Sequence, residues 1–156
     1  TGMRAGKAER HVIQSQLTQR YVIKWHYVER NRGVMQDHDA IRQVVQLYLD
    51  GLYDGHVDHL RQAFHPTANL TFADGGAISI TSRDAWCEAV ANRPSPRAQN
   101  LSRHDEIVMI DQSSPVTAFV KLNCAIPPRF FTDYLNLLKI DGRWQIVQKI
   151  FAVEVR

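Results

Sequence analysis

Between Pro127 and Glu154 two runs rich in leucine, aromatic and β-branched residues flank Asp141-Gly142. Asp-Gly between such runs is among the strongest short-range signals for an antiparallel hairpin, because both turn positions need positive φ. A hairpin this long commits the chain to a sheet whose inner face must be covered. Which face is inner depends on register, since a slip of one residue turns every side chain over. A two-residue turn pairs Ile140 with Arg143, whereas a three-residue loop with a left-handed Gly142 pairs Lys139 with Arg143. The second register is the expected one. It gathers Tyr134, Asn136, Leu138, Trp144, Ile146, Gln148 and Ile150 on one face and keeps Lys139 away from the core tryptophan; the first would bring in Asp133, Leu135 and Leu137.

The rest of the chain supplies the cover. Asp37-His38-Asp39 can cap a helix whose stripe Ile41, Val44, Val45, Tyr48, Leu49 and Leu52 runs to Tyr53, and Asp54-Gly55 ends it. A shorter helix from about Val57 to Phe64 is stopped by His65-Pro66. A short strand, Ala68 to Ala73, turns at Asp74-Gly75-Gly76 into Ala77 to Thr81, and Ser82 caps a third helix reaching Asn92. After the turn-rich Arg93–Ser102 loop come strands Asp105–Asp111 and Val116–Ile126, a Pro127-Pro128 bend, and the hairpin. Grouped this way, helices first and strands last, the elements predict an α+β fold with helices packed on one face of a curved antiparallel sheet. At 156 residues, folding buries roughly two-thirds of the unfolded chain's surface, enough for one domain.

Charge is unevenly placed. Residues 1–33 hold Arg4, Lys7, Arg10, Arg20, Lys24, Arg30 and Arg32 against Glu9 and Glu29; subtracting that +5 from the net +3 leaves −2 for the remainder. Basicity therefore belongs to an N-terminal arm, residues 1–35, and gives the domain over 36–156 no nucleic-acid footprint. Within the arm Ile13, Leu17, Tyr21, Trp25 and Val28 fall on one face of an amphipathic helix, expected to pack on the domain or on a sister subunit. No apolar run approaches the roughly 20 residues that span a bilayer. Cys87 and Cys124 lack metal-type spacing and read as buried small hydrophobes in a reducing cytoplasm.

The element order, with Ala63-Phe-His-Pro-x-Ala68 closing the second helix and Leu137-Leu-Lys-Ile-Asp-Gly-Arg-Trp-x-Ile146 as the last turn, resembles the nuclear transport factor 2-like superfamily. Ile126-Pro-Pro-Arg-Phe-Phe-Thr-Asp-Tyr-Leu-Asn-Leu-Leu-Lys139 and the Arg93-Pro-Ser-Pro loop are similar to a bacterial group labelled putative lumazine-binding, with polyketide-cyclase-like members nearby. The resemblance covers about Gln36 to Glu154. It implies a cone-shaped sheet around helices, an apolar pocket inside the cone and a homodimer through the outer sheet face, to which the arm could contribute. The superfamily holds isomerases, dehydratases, cyclases and proteins without chemistry, so the fold leaves function open.

Candidate chemistry is sparse. Where ketosteroid isomerases carry a carboxylate base on the first strand, this chain has Phe72. A cyclase-like or dehydratase-like proton transfer would use His65, Asp74 or His104 as base, Tyr134 as acid, and Asn136 or Gln148 to orient a carbonyl. The expected ligand lining is Phe64, Phe72, Trp86, Tyr134, Asn136, Trp144 and Gln148: apolar walls with a few polar groups, as a small-molecule site needs. Arg129, Lys121 or Lys149 could receive an anionic substituent, though solvated strand cations read the same way. His56-x-x-His59 lacks a third ligand, so no metal is expected, and no glycine-rich phosphate loop or Gly-x-Ser-x-Gly elbow implies a cofactor or a serine nucleophile. The leading expectation is a small-molecule-binding protein without cofactor, acting on a small apolar molecule; the alternatives are a cofactor-free enzyme on such a molecule and an interaction module using the arm.

Overall fold

Helix α1 runs through residues 37–54 and buries Ile41, Val45, Tyr48, Leu49 and Leu52 along one stripe, the spacing of a helix with one face on a core. The structure, a computed structural model, describes residues 37–156, so the expectations for the N-terminal arm lie outside the described residues. Gly55, at φ 74°, breaks the chain direction, and α2 (Val57–Ala63) returns across α1. The two helices meet at Gly51. A Cβ there would stand 2.8 Å from Leu60 Cδ2 and 3.1 Å from the His56 carbonyl oxygen, so only glycine allows the approach. Helix α3 (Arg83–Ala91) starts where expected, with the Ser82 hydroxyl accepting the Ala85 N–H.

The strands are β1 (Phe64–Asp74), β2 (Ala77–Ser82), β3 (Asp105–Ser114), β4 (Thr117–Ile126), β5 (Arg129–Ile140) and β6 (Arg143–Val155). They form one curved, unclosed sheet in the order β2-β1-β6-β5-β4-β3. The α+β architecture is as expected, with one addition: β1 lies parallel to β6, so the sheet is mixed. A parallel pair needs a long crossover, and here the whole of β2 to β5 intervenes. The helices cover the concave face, where Val120, Leu122, Leu135, Leu137 and Ile146 meet the α1 stripe in one core.

The hairpin register is the one the sequence reading set aside. Ile140 pairs with Arg143 across a two-residue turn in which Asp141 (φ 49°) and Gly142 (φ 76°) are both left-handed. Lys139 is therefore opposite Trp144, on the inner face. It is tolerated because Asp37, at the described start of α1, meets it: Lys139 Nζ donates to Asp37 Oδ1 at 2.6 Å, and Trp144 Nε1 donates to the same oxygen at 3.1 Å. The inner positions of β5 are thus Asp133, Leu135 and Leu137, while Tyr134, Asn136 and Leu138 face out.

A second event reverses the alternation on β6. Leu137 pairs with Ile146 but Asn136 pairs with Gln148, which leaves Val147 as the extra residue of a bulge. Trp144 and Ile146 point inward before it; after it Lys149 does, and Gln148 and Ile150 do not. Among the described residues no helix is long and apolar enough to cross a membrane.

Candidate functional site

The two register events bring two polar side chains, Asp133 and Lys149, to the concave face, where they meet Tyr48. Asp133 is fully buried and Lys149 is 5% exposed. Tyr48, from the buried stripe of α1, donates to Asp133 Oδ2 at 2.6 Å, and Lys149 Nζ donates to the same oxygen at 2.7 Å and to the Tyr48 hydroxyl at 2.7 Å. Cys124 Sγ, on β4, lies 3.8 Å from Asp133 Oδ2. A charge-assisted triangle of this kind compensates much of the desolvation that a buried carboxylate and ammonium suffer. The ammonium is also surrounded by ring faces, 4.8 Å from the Phe151 centroid, 5.2 Å from Tyr48 and 5.8 Å from Phe131.

Burial, reinforced by the Asp133 charge, pushes the Tyr48 phenol well above its ordinary value, so it stays a donor at neutral pH. The same two causes push the Cys124 thiol up to about 12, which makes it a poor nucleophile. Burial also raises Cys87. Asp133 Oδ1 is buried without a hydrogen-bond partner among the described residues.

Lys149 opens onto a pocket of ≈ 320 Å³ between the helices and the concave face. Its walls are Leu70 and Phe72 of β1, Trp86 of α3, and Phe131, Phe151 and Val153 of the hairpin, with Arg93 and Arg129 also on the lining. Asp133 and Tyr48 stand behind the lysine and fix it. An ammonium has three N–H donors, and two go to Asp133 and Tyr48; the third is left for whatever enters. The lining is therefore mostly apolar with a few polar groups, Lys149 held in place among them, the pattern of a site that binds a small molecule by shape and a few placed contacts.

Two larger depressions have different chemistry. One, of ≈ 480 Å³, is lined by His104, Asp105, Glu106, Asn123, Glu154 and Arg156 among others; the other, of ≈ 540 Å³, lies at the hairpin tip beside Asp37, Lys139 and Trp144. Their charged groups are largely satisfied by one another, as in Lys139 with Asp37 and Arg156 with Glu154. We place the candidate site in the smaller, inner pocket.

Of the residues singled out from sequence, Phe72 and Trp86 line that pocket. Phe64 is fully buried beneath it, 5.2 Å from the Trp86 ring. Trp144 belongs to the hairpin tip. Tyr134 is on the outer face, stacked on Phe119 at 5.9 Å, and Asn136 and Gln148 pair with each other there. His65 accepts or donates locally with the Thr67 hydroxyl at 2.7 Å, and Asp74 is exposed at the far end of the same strand. They are nine positions apart along the strand, about 30 Å at the rise of a β-strand. His65, Asp74 and Tyr134 are thus in three separate places. His56 and His59 pack ring to ring at 5.2 Å, and among the described residues no group of three His, Cys, Asp or Glu side chains gathers as a metal site would.

Sequence reasoning passed over Tyr48 as a core stripe residue, Asp133 through the register, and Lys149 as a solvated strand cation. The sequence did carry one sign of Lys149's position. The alternation Trp144-Gln-Ile146 breaks at Ile146-Val147, where two apolar residues stand together, and that is where the bulge falls.

Comparison with known proteins agrees with this architecture. Aldolase FrzH of a Cladobotryum species is 28% identical over 122 residues, 74% of this chain and 90% of the relative. A nuclear transport factor 2-like protein of unknown function from Shewanella baltica superposes with a TM-score of 0.69 at 25% identity, covering 78% of this chain and 97% of that one. Another from Silicibacter pomeroyi gives 0.69 at 19% identity, covering 78% and 98%. The family described as "Putative lumazine-binding" matches residues 36–152, three-quarters of the chain. With the curved six-stranded sheet and its N-terminal helices, that match makes the chain a member of the putative lumazine-binding family, in the nuclear transport factor 2-like superfamily.

Proposed function

We propose that this domain binds a small, largely apolar molecule in the inner pocket, with an acceptor oxygen of the ligand on Lys149. The observation that carries this reading is the third N–H of Lys149, held by Asp133 and Tyr48 in a lining that is otherwise mostly apolar. Native mass spectrometry of the protein as purified, followed by denaturing release, tests it. A retained small molecule in the parent that is lost in Lys149→Met supports the reading; a retained molecule indifferent to Lys149→Met defeats it.

A second reading, cofactor-free proton transfer on such a ligand, is favoured by the same cluster. An ammonium donating to a carbonyl oxygen stabilises the charge that develops there when an adjacent C–H gives its proton to a water in the pocket, as in aldol-type or dehydration chemistry. An aldolase among the relatives is in keeping with that. Deuterium wash-in at the carbon next to a ketone probe, followed by NMR, would detect the step. Exchange no faster with parent than with Lys149→Met counts against the enzyme.

We further propose that the outer sheet face pairs with a second copy of the chain, because Tyr134, Leu138 and Ile150 leave apolar surface open on it. Ile150→Glu should convert a dimer to a monomer in light scattering and remove the concentration dependence of the unfolding midpoint; an unchanged mass removes this face from the interface.

A further inference from the structure

Lys149, Arg93 and Arg129 line the inner pocket, and no aspartate or glutamate does. This sorting runs against composition, since the described residues sum to −2 once the arm's +5 is subtracted from +3. Lys149 has its countercharge in Asp133. Among the described residues the ion pairs formed by Asp and Glu include neither Arg93 nor Arg129.

The two arginines come from separate segments, the loop after α3 and the start of β5. Arg93 follows α3, where its backbone N–H reaches the Val90 carbonyl at 3.4 Å, and its side chain is half-buried. Arg129 is the first residue of β5, paired with Ile126 on one side and Val155 on the other. Burial first, and the Arg129 charge second, pull Arg93 below the ordinary arginine value. Arg129 is exposed, whereas Arg93 is half-buried beside that like charge, which opposes folding unless something offsets it. An anion between them would relieve both, and a planar carboxylate matches the guanidinium fork.

We propose that Arg93 and Arg129 form an anion subsite of the inner pocket, so that the ligand is a small amphipathic carboxylate whose apolar body lies against Phe72, Trp86 and Phe151. This rests on the pocket-binding reading and names the class of ligand for it. Lys149 then meets a second oxygen of the ligand rather than its carboxylate.

The test compares 2-naphthoate with its neutral isostere 2-naphthamide by calorimetric titration of the full chain at fixed salt. The parent should prefer the acid by at least about tenfold, since a bidentate arginine–carboxylate pair is a strong charge-assisted contact. In Arg93→Gln/Arg129→Gln the ratio of acid to amide affinity should collapse toward one, with an unfolding midpoint measured alongside to report that the variant is folded. Arg93→Lys/Arg129→Lys should keep part of the preference, through charge without the fork. A preference that survives the glutamine pair puts the anion on Lys149 and overturns the subsite. Equal binding of acid and amide to the parent overturns it while leaving the pocket reading intact. Binding of neither removes both.

Discussion

The two faces of the β5–β6 hairpin carry polar residues in similar number and treat them in opposite ways. On the outer face Asn136 sits opposite Gln148 and Tyr134 opposite Ile150, close to water, and their polar groups need no fixed partner. On the inner face Asp133 is sealed from water and Lys149 shows only its tip to the pocket, and each finds the other and Tyr48 at hydrogen-bond distance. Polar groups in water exchange one hydrogen bond for another, whereas in a dry site each lost partner costs its full desolvation. Three polar groups on one face therefore mark a site only when the face is closed.

The comparison breaks most visibly at Asp133. Asp133→Leu leaves Lys149 buried without its countercharge and should lower stability by about 3–5 kcal/mol in urea unfolding. Asp133→Leu/Lys149→Met, which removes both charges, should recover most of that loss. If the double variant is no better than the single one, the pair is not the energetic unit described.

Tyr48→Phe removes a donor to Asp133 and an acceptor for Lys149 while keeping the ring packed on Phe64. A loss of about 1–3 kcal/mol is expected, and a midpoint equal to the parent's would show that the phenol is dispensable to the triangle.

At the hairpin tip the contrast becomes a matter of pH. Burial would raise the Asp37 carboxyl, but hydrogen bonds from Lys139, Trp144 and Gln112 and the Lys139 charge outweigh it and hold Asp37 below its ordinary 3.8. A depressed folded value means that the contribution is fully present above the unfolded value and is lost as pH falls through the folded one. Parent stability should therefore drop more steeply below about pH 4 than that of Asp37→Asn. Parallel acid limbs would rule out this linkage.

The smallest effects belong to the outer face, where Asn136→Thr and Gln148→Thr should each stay within about 0.5 kcal/mol of the parent. A loss comparable to that of Tyr48→Phe would erase the distinction between the faces.

Much of the fold was legible in the chain. Asp141-Gly142 located the hairpin, Ser82 located the start of α3, and the Ile41–Leu52 stripe located the covering helix, because caps, turns and periodicity act over a few residues. Phe72 and Trp86, two of the aromatics singled out from sequence, do line the inner cavity. Lys149 and Asp133 were not legible.

What the sequence determined by itself was the order and type of the elements and that a sheet would pack on helices, since those follow from local sterics and hydrophobic period; β1 starts four residues earlier than expected, at Phe64, and takes in the His65-Pro66 expected to stop α2. Only the tertiary structure decided which face of the hairpin is inside. Asp37, about a hundred residues from Lys139, supplies the countercharge that lets the two-residue turn carry a lysine inward. The bulge at Val147 then turns Lys149 toward Tyr48 and Asp133, from distant points in the chain, so that the cluster exists only once helix, hairpin and bulge are packed together.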